Sequence, residues 1–135
     1  VPFPTFTVLN DAYNANPNSM TESIRALGQL QGIRKIAMLG DMLELGEHSV
    51  AAHKKIGKLL GAESYDMVFT FGEMMKLTAA AAKEAGVPFV YVGNSHLDIA
   101  NAYYDVKQAG DVILVKGSRG LKMERIIEDF KERHG

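Results

Sequence analysis

Hydrophobic positions along this chain alternate between two periods. Short apolar runs occur at Phe6, Val8 and Leu9, at Ile33 to Leu39 (IRKIAML), at Met67 to Phe71 (MVFTF), at Phe89 to Val92 and at Val112 to Val115. Runs of this length, bounded by Gly, Asn, Asp or Ser, predict β-strands. Between them apolar residues recur every three or four positions: Met20, Ile24, Leu27 and Leu30; Ala52, Ile56, Leu59 and Leu60; an alanine-rich stretch from Glu73 to Ala85; Ile99, Ala102, Tyr103 and Val106; and Met123, Ile126, Ile127 and Phe130. That spacing places each set on one helical face.

The helix limits are marked by capping chemistry. Ser19 with Glu22, and Ser95 with Asp98, have the spacing of capping boxes, while Gly32, Gly86 and Gly110 are placed to end helices. Gly57 falls inside the second helix, where glycine costs roughly 1 kcal/mol relative to alanine. Val1 to Pro4, with two prolines, are expected to be a linker or boundary segment outside regular structure, with one domain occupying 5–135. Five strands apolar along their whole length, alternating with five helices, call for a parallel sheet covered on both faces and joined by right-handed crossovers. The predicted class is α/β, a doubly wound, Rossmann-like, mainly parallel sheet.

Composition narrows the function. A length of 135 residues with 47% hydrophobic content suits one domain with a real core. The net charge of -1 with dispersed charges offers no basic face for nucleic acid and no polybasic membrane patch, so neither partner is expected, and a soluble monomer is. Without cysteine there are no disulfides or thiolate metal sites, which fits a reducing cytoplasm. His48 and His53, five apart, would sit on different helical faces and are expected to be exposed or capping rather than metal ligands.

In an open parallel sheet the loops that follow the strands all open on one edge, where ligands bind. Three of the five are polar. The first carries Asp11, Tyr13, Asn14 and Asn16; an aromatic ring and two carboxamides suit a nucleobase, and the same residues before a proline equally suit Asx turns and caps. The second, GDMLELGEHS, is long and acidic; Asp41 or Glu44 would accept a proton from an incoming ammonium, unless the loop is simply a solvated connection with its leucines tucked in. The last places Lys116, Ser118 and Arg119 between glycines before a helix, where a carboxylate or phosphate would be favoured, the alternative being solvated surface charge.

The strings DAYNANPNSM, LGDMLELGEHS and VKGSRGLKME, in that order, resemble the C-terminal domain of the Mur ligases, and the resemblance spans essentially the whole chain. It implies part of a cytoplasmic, ATP-dependent peptide ligase of peptidoglycan synthesis. The best-matching member joins D-alanyl-D-alanine to UDP-N-acetylmuramoyl-tripeptide through an acyl phosphate. By resemblance Asp11, Tyr13, Asn14 and Asn16 face the nucleotide, and Lys116, Ser118 and Arg119 hold the free carboxylate of the dipeptide. ATP and Mg2+ would be held mainly by a central domain bearing the phosphate loop, and the UDP-sugar by an N-terminal one. No G-x-x-x-x-G-K-[ST] string is present here, so the separate chain is expected to fold without ligase activity. The alternatives are a related amide ligase of the folylpolyglutamate synthase kind and a free-standing nucleotide- or anion-binding module. Two departures stand out: Asn10 occupies a position commonly acidic in the family, and the family's domain usually begins earlier with a segment beside the first strand, which could leave one sheet edge exposed.

Overall fold

The computed structural model describes residues 1–134. Five strands, β1 (Phe6–Asp11), β2 (Lys35–Gly40), β3 (Met67–Phe71), β4 (Phe89–Gly93) and β5 (Asp111–Lys116), alternate with α1 (Pro17–Gly28), α2 (Ser49–Ala62), α3 (Met75–Glu84), α4 (His96–Val106) and α5 (Glu124–His134). All strands run parallel in the order β1-β5-β2-β3-β4. The doubly wound architecture expected from the hydrophobic pattern is the one observed.

Alternation along each strand assigns its side chains to two separate cores. Ala37, Leu39, Val68 and Leu114 face one way and meet Met20, Ile24, Leu27, Ile56, Leu60 and Met75 of α1, α2 and α3. Ile36, Met38, Phe69, Ile113 and Val115 face the other way, against Ile99, Tyr103, Ile126 and Phe130 of α4 and α5. The split follows from handedness. The chain steps in one direction from β1 to β4 with right-handed crossovers on one face, then reverses to insert β5 between β1 and β2, which puts the remaining helices on the opposite face.

One expectation needs correction. α1 is capped one turn earlier than the Ser19 and Glu22 pair suggested: Asn16 is the cap, its side chain accepting from Ser19 N (2.9 Å), while Ser19 Oγ accepts from Asn16 N (3.0 Å). With Pro17 in the first turn, Asn16 is the first residue able to remain extended and accept this bond. Val1 to Pro4 precede the first strand and lie outside the helices and strands, yet they pack along β1. Val1 and Val8 exchange backbone hydrogen bonds (2.7 and 2.9 Å), Pro2 bridges antiparallel to Thr7, and Phe3 stacks on Phe6 at 4.9 Å. The proline is tolerated because it lies at a sheet edge.

Candidate functional site

At the edge where the strands end, the loop after β5 leaves toward α5 on one face, whereas the loops on either side of it, after β1 and β2, leave toward α1 and α2 on the other. Divergence of neighbouring loops opens a crevice at such a reversal point. A cleft of about 580 Å³ lies there, and Tyr13, Asn14, Asn16, Glu44, Ser118 and Arg119 are among its lining residues. Three loops distant in sequence are thus brought together.

Not every residue expected to meet a ligand reaches this cleft. Lys116 is 2% exposed; its ammonium donates to Asp11 Oδ2 (2.6 Å) and to the Asn14 carbonyl (3.0 Å). It therefore holds the β1 loop, with its charge met by Asp11. A lysine that far from water needs such partners. Asp11 also accepts from Ser23 Oγ (2.8 Å). Burial pushes its carboxyl up, but the bonds from Lys116 and Ser23 and the Lys116 charge outweigh this and hold it below the ordinary carboxylate value.

Asp41 is likewise turned away. It is buried, and Oδ1 accepts from Met75 N (2.8 Å), the first residue of α3. As a carboxylate at a helix N-terminus it is favourably placed, with Oδ1 committed to the α3 backbone. Gly72 permits this approach: at φ +115 with only hydrogens, it leaves space where a Cβ would come within 2.4 Å of the Asp41 carboxylate. Glu44, by contrast, lines the cleft, and it does so with φ 61, a left-handed conformation uncommon for a residue with a side chain.

Ser118 is 9% exposed and joins three loops. Its N–H donates to the Asp41 carbonyl (3.0 Å), its Oγ accepts from Leu43 N (2.8 Å), and its hydroxyl donates to the Ala15 carbonyl (3.3 Å). Arg119 next to it is exposed, as are Tyr13 and Asn14. The helix dipole expected behind Arg119 is displaced, because a single 3-10 turn (Arg119–Leu121) intervenes and α5 begins only at Glu124.

Two histidines contribute that the sequence pattern did not reveal. His53, expected to be exposed or capping, is wholly buried; Nε2 accepts from Met42 N (3.1 Å) and Nδ1 donates to the Ser49 carbonyl (2.7 Å), pinning the long loop to α2. The spacing of four between Ser49 and His53, one helical turn, was the available signal. His96 donates Nε2–H to the Leu121 carbonyl (2.7 Å) and rests against the Phe71 ring, bracing the β5 loop from α4. No sequence signal pointed to it. Among the described residues no group of three or more His, Asp or Glu side chains converges to hold a metal ion, and no helix is long and apolar enough to cross a membrane.

A doubly wound domain whose polar cleft lies where the order of its parallel strands reverses is the form of a ligand-binding α/β module. The profile described as "Mur ligase, glutamate ligase domain" matches residues 3–119, and the chain belongs to the Mur ligase family. Within that family it is similar to the UDP-N-acetylmuramoyl-tripeptide--D-alanyl-D-alanine ligases, known as MurF. It is 40% identical to the Bacillus subtilis enzyme over 131 residues, covering 93% of this chain and 28% of the relative. For the Escherichia coli enzyme the identity is 34% over 125 residues, covering 93% and 27%. The crystal structure of MurF from Thermotoga maritima in complex with ADP superposes with a TM-score of 0.79 at 29% identity, covering 98% of this chain and 29% of that one. A MurF structure from Acinetobacter baumannii gives 0.81 at 26% identity, with the same coverage. The chain therefore spans little more than a quarter of the relatives it matches.

Proposed function

We propose that this chain is the closing, substrate-orienting domain of a ligase that joins D-alanyl-D-alanine to UDP-N-acetylmuramoyl-tripeptide at the expense of ATP. The observation that carries the reading is the convergence of Tyr13, Asn14 and Asn16, of Glu44, and of Arg119 around one cleft. One wall offers a ring and amides, which suit a nucleotide; the other offers a guanidinium and a carboxylate, which suit a zwitterionic dipeptide. The ADP named with the Thermotoga maritima relative and the ligase activity named for the curated relatives agree with both halves.

In this reading ATP, with Mg2+, phosphorylates the tripeptide carboxylate on a part of the protein outside these residues. Mg2+ supplies charge neutralisation there, and no residue of this chain is assigned to it. Arg119 binds the free carboxylate of the dipeptide bidentately, and Glu44 accepts a hydrogen bond from its ammonium. Asp11, held ionised by Lys116, stands behind Tyr13 at the nucleotide end. Closure brings the amine to the acyl phosphate and excludes water that would hydrolyse it. The ammonium passes one proton to Glu44, and the resulting amine attacks the acyl carbon to give a tetrahedral intermediate. As the nitrogen releases its second proton to solvent, the acyl–oxygen bond breaks, phosphate leaves and the amide forms. By itself this domain folds and does not ligate.

Replacing Arg119 by Ala in the full-length protein is expected to raise KM for D-alanyl-D-alanine by about tenfold or more, because a charge-assisted bond to a carboxylate is worth roughly 1.5–3 kcal/mol. KM for ATP should stay close to the wild-type value. A dipeptide KM unchanged by Arg119→Ala would refute the assignment of the carboxylate to this loop.

A further inference from the structure

We infer that Ser118, rather than binding substrate, is the positioning residue that sets the width of the cleft and so couples its nucleotide wall to its dipeptide wall. The inference rests on the functional reading above. It comes from three hydrogen bonds on one residue, each to a different strand-end segment or backbone group: Ser118 N–H to the Asp41 carbonyl, Leu43 N–H to Ser118 Oγ, and the Ser118 hydroxyl to the Ala15 carbonyl. A serine hydroxyl has one proton to give, and here it goes to Ala15 while the oxygen accepts from Leu43. The residue is almost wholly covered, so these bonds are made away from competing water.

The place of this knot in the sheet gives it its effect. β5 lies between β1 and β2, and beyond their ends the three loops part toward opposite faces. Ser118 stands where they part. Ala15 lies between the nucleotide-wall residues Asn14 and Asn16, Leu43 precedes Glu44, and Ser118 itself precedes Arg119. Each tie therefore fixes a backbone group next to a residue that faces the cleft. Removing the hydroxyl deletes the ties to Leu43 and Ala15, and so loosens the loops after β1 and β2 relative to each other. The Ser118 N–H bond to Asp41, the Lys116 bonds to the β1 loop and every other cleft-facing side chain are kept. Displacements of about 1 Å at a reacting centre change rates by up to roughly a hundredfold, so modest loosening is enough to be measured.

The prediction separates a positioning residue from a ligand contact and from a purely structural one. In the full-length protein, Ser118→Ala should raise KM for ATP and KM for D-alanyl-D-alanine together, each by roughly fivefold for the loss of about one net hydrogen bond, whereas Arg119→Ala raises only the second. Ser118→Thr, which keeps the hydroxyl, should return both values toward wild type. An increase confined to the dipeptide would show the hydroxyl to be a substrate contact and overturn the proposal. A lowered unfolding temperature with both KM values unmoved would also overturn it, leaving only a structural role. Should Ser118→Ala fail to fold, Ser118→Cys, with a weaker donor and acceptor in the same place, is the deciding variant: both KM values must rise, and wild-type values in the folded Cys variant reject the idea. An Arg119→Ala variant with an unaltered dipeptide KM would instead count against the carboxylate assignment, and the paired rise in Ser118→Ala would still decide the positioning role.

Discussion

Asp111 remains a buried carboxylate because four donor groups meet it: Arg34 Nε and Nη2 (2.8 and 2.7 Å), the Tyr103 hydroxyl (2.7 Å) and the Gln108 N–H (2.9 Å). Burial pushes its carboxyl up, but the hydrogen bonds from Arg34, Gln108 and Tyr103 prevail and hold it below its ordinary value of 3.8. A carboxyl depressed in the folded state stabilises the fold above its unfolded value, and that contribution is lost as pH falls from about 3.8 through the lower folded value. Asp111→Asn should therefore cost about 3 kcal/mol at neutral pH, since it leaves the Arg34 guanidinium without its counter-charge. The gap to wild type should narrow below pH 3.8. Urea unfolding of both proteins at pH 7 and pH 3 tests this, and an equal gap at the two pH values would contradict it. The same residue type shows the limit of reading single positions. Asp11, Asp41 and Lys116 are chemically suitable for ligands, and nothing in the one-dimensional pattern says that Lys116 and Asp11 pair across 105 positions or that Asp41 caps α3.

Elements were far more legible than side-chain partners, because periodicity is local and pairing is not. The third strand, Met67–Phe71, has the bounds its apolar run implied, and the buried face of α5 carries the Met123, Ile126, Ile127 and Phe130 stripe together with the turn before it. Helix starts were less so; either Asn16 or Ser19 could have been the cap of α1, and only the extended backbone of Asn16 decides. Gly57 shows how packing reverses a local expectation. In an isolated helix alanine there would be better by roughly 1 kcal/mol. In the fold, a Cβ at Gly57 would lie 2.4 Å from the Thr78 carbonyl oxygen and 2.6 Å from the Ala81 Cβ, and one at Gly61 would lie 2.4 Å from the Ala85 Cβ. These contacts are to the α3 backbone and its methyl groups, which have no flexible end to move aside. Gly57→Ala is accordingly expected to destabilise by about 1–3 kcal/mol, the overpacking cost outweighing the propensity gain. A thermal midpoint at or above wild type would show that α2 can lift off α3 at little cost.

For the whole molecule, the decisive feature is that folding and catalysis have different requirements. Both faces of the sheet are covered by helices, and the two cores contain Met20, Leu39 and Leu60 on one side and Phe69, Tyr103 and Phe130 on the other, all with almost no exposed surface. Among the described residues both cores are closed by helices of this chain. The separate 135-residue chain should unfold in one cooperative transition. The cleft, in contrast, is open to solvent along its exposed residues Tyr13, Asn14 and Arg119, and in the proposed function the acyl phosphate is delivered to it by residues lying outside this chain. Mixing the chain with the remainder of the protein tests the difference quantitatively. A covalent linker holds two modules at an effective concentration of about millimolar, so two separate pieces at about 10 µM should meet on the order of a hundred times less often if their affinity is weak. Ligation of D-alanyl-D-alanine with MgATP should therefore be absent for this chain alone. With the remainder added it should be faint and should rise with concentration, and Arg119→Ala in this piece should raise the dipeptide concentration needed. Ligation by the 135-residue chain alone would sink the division of labour proposed for it.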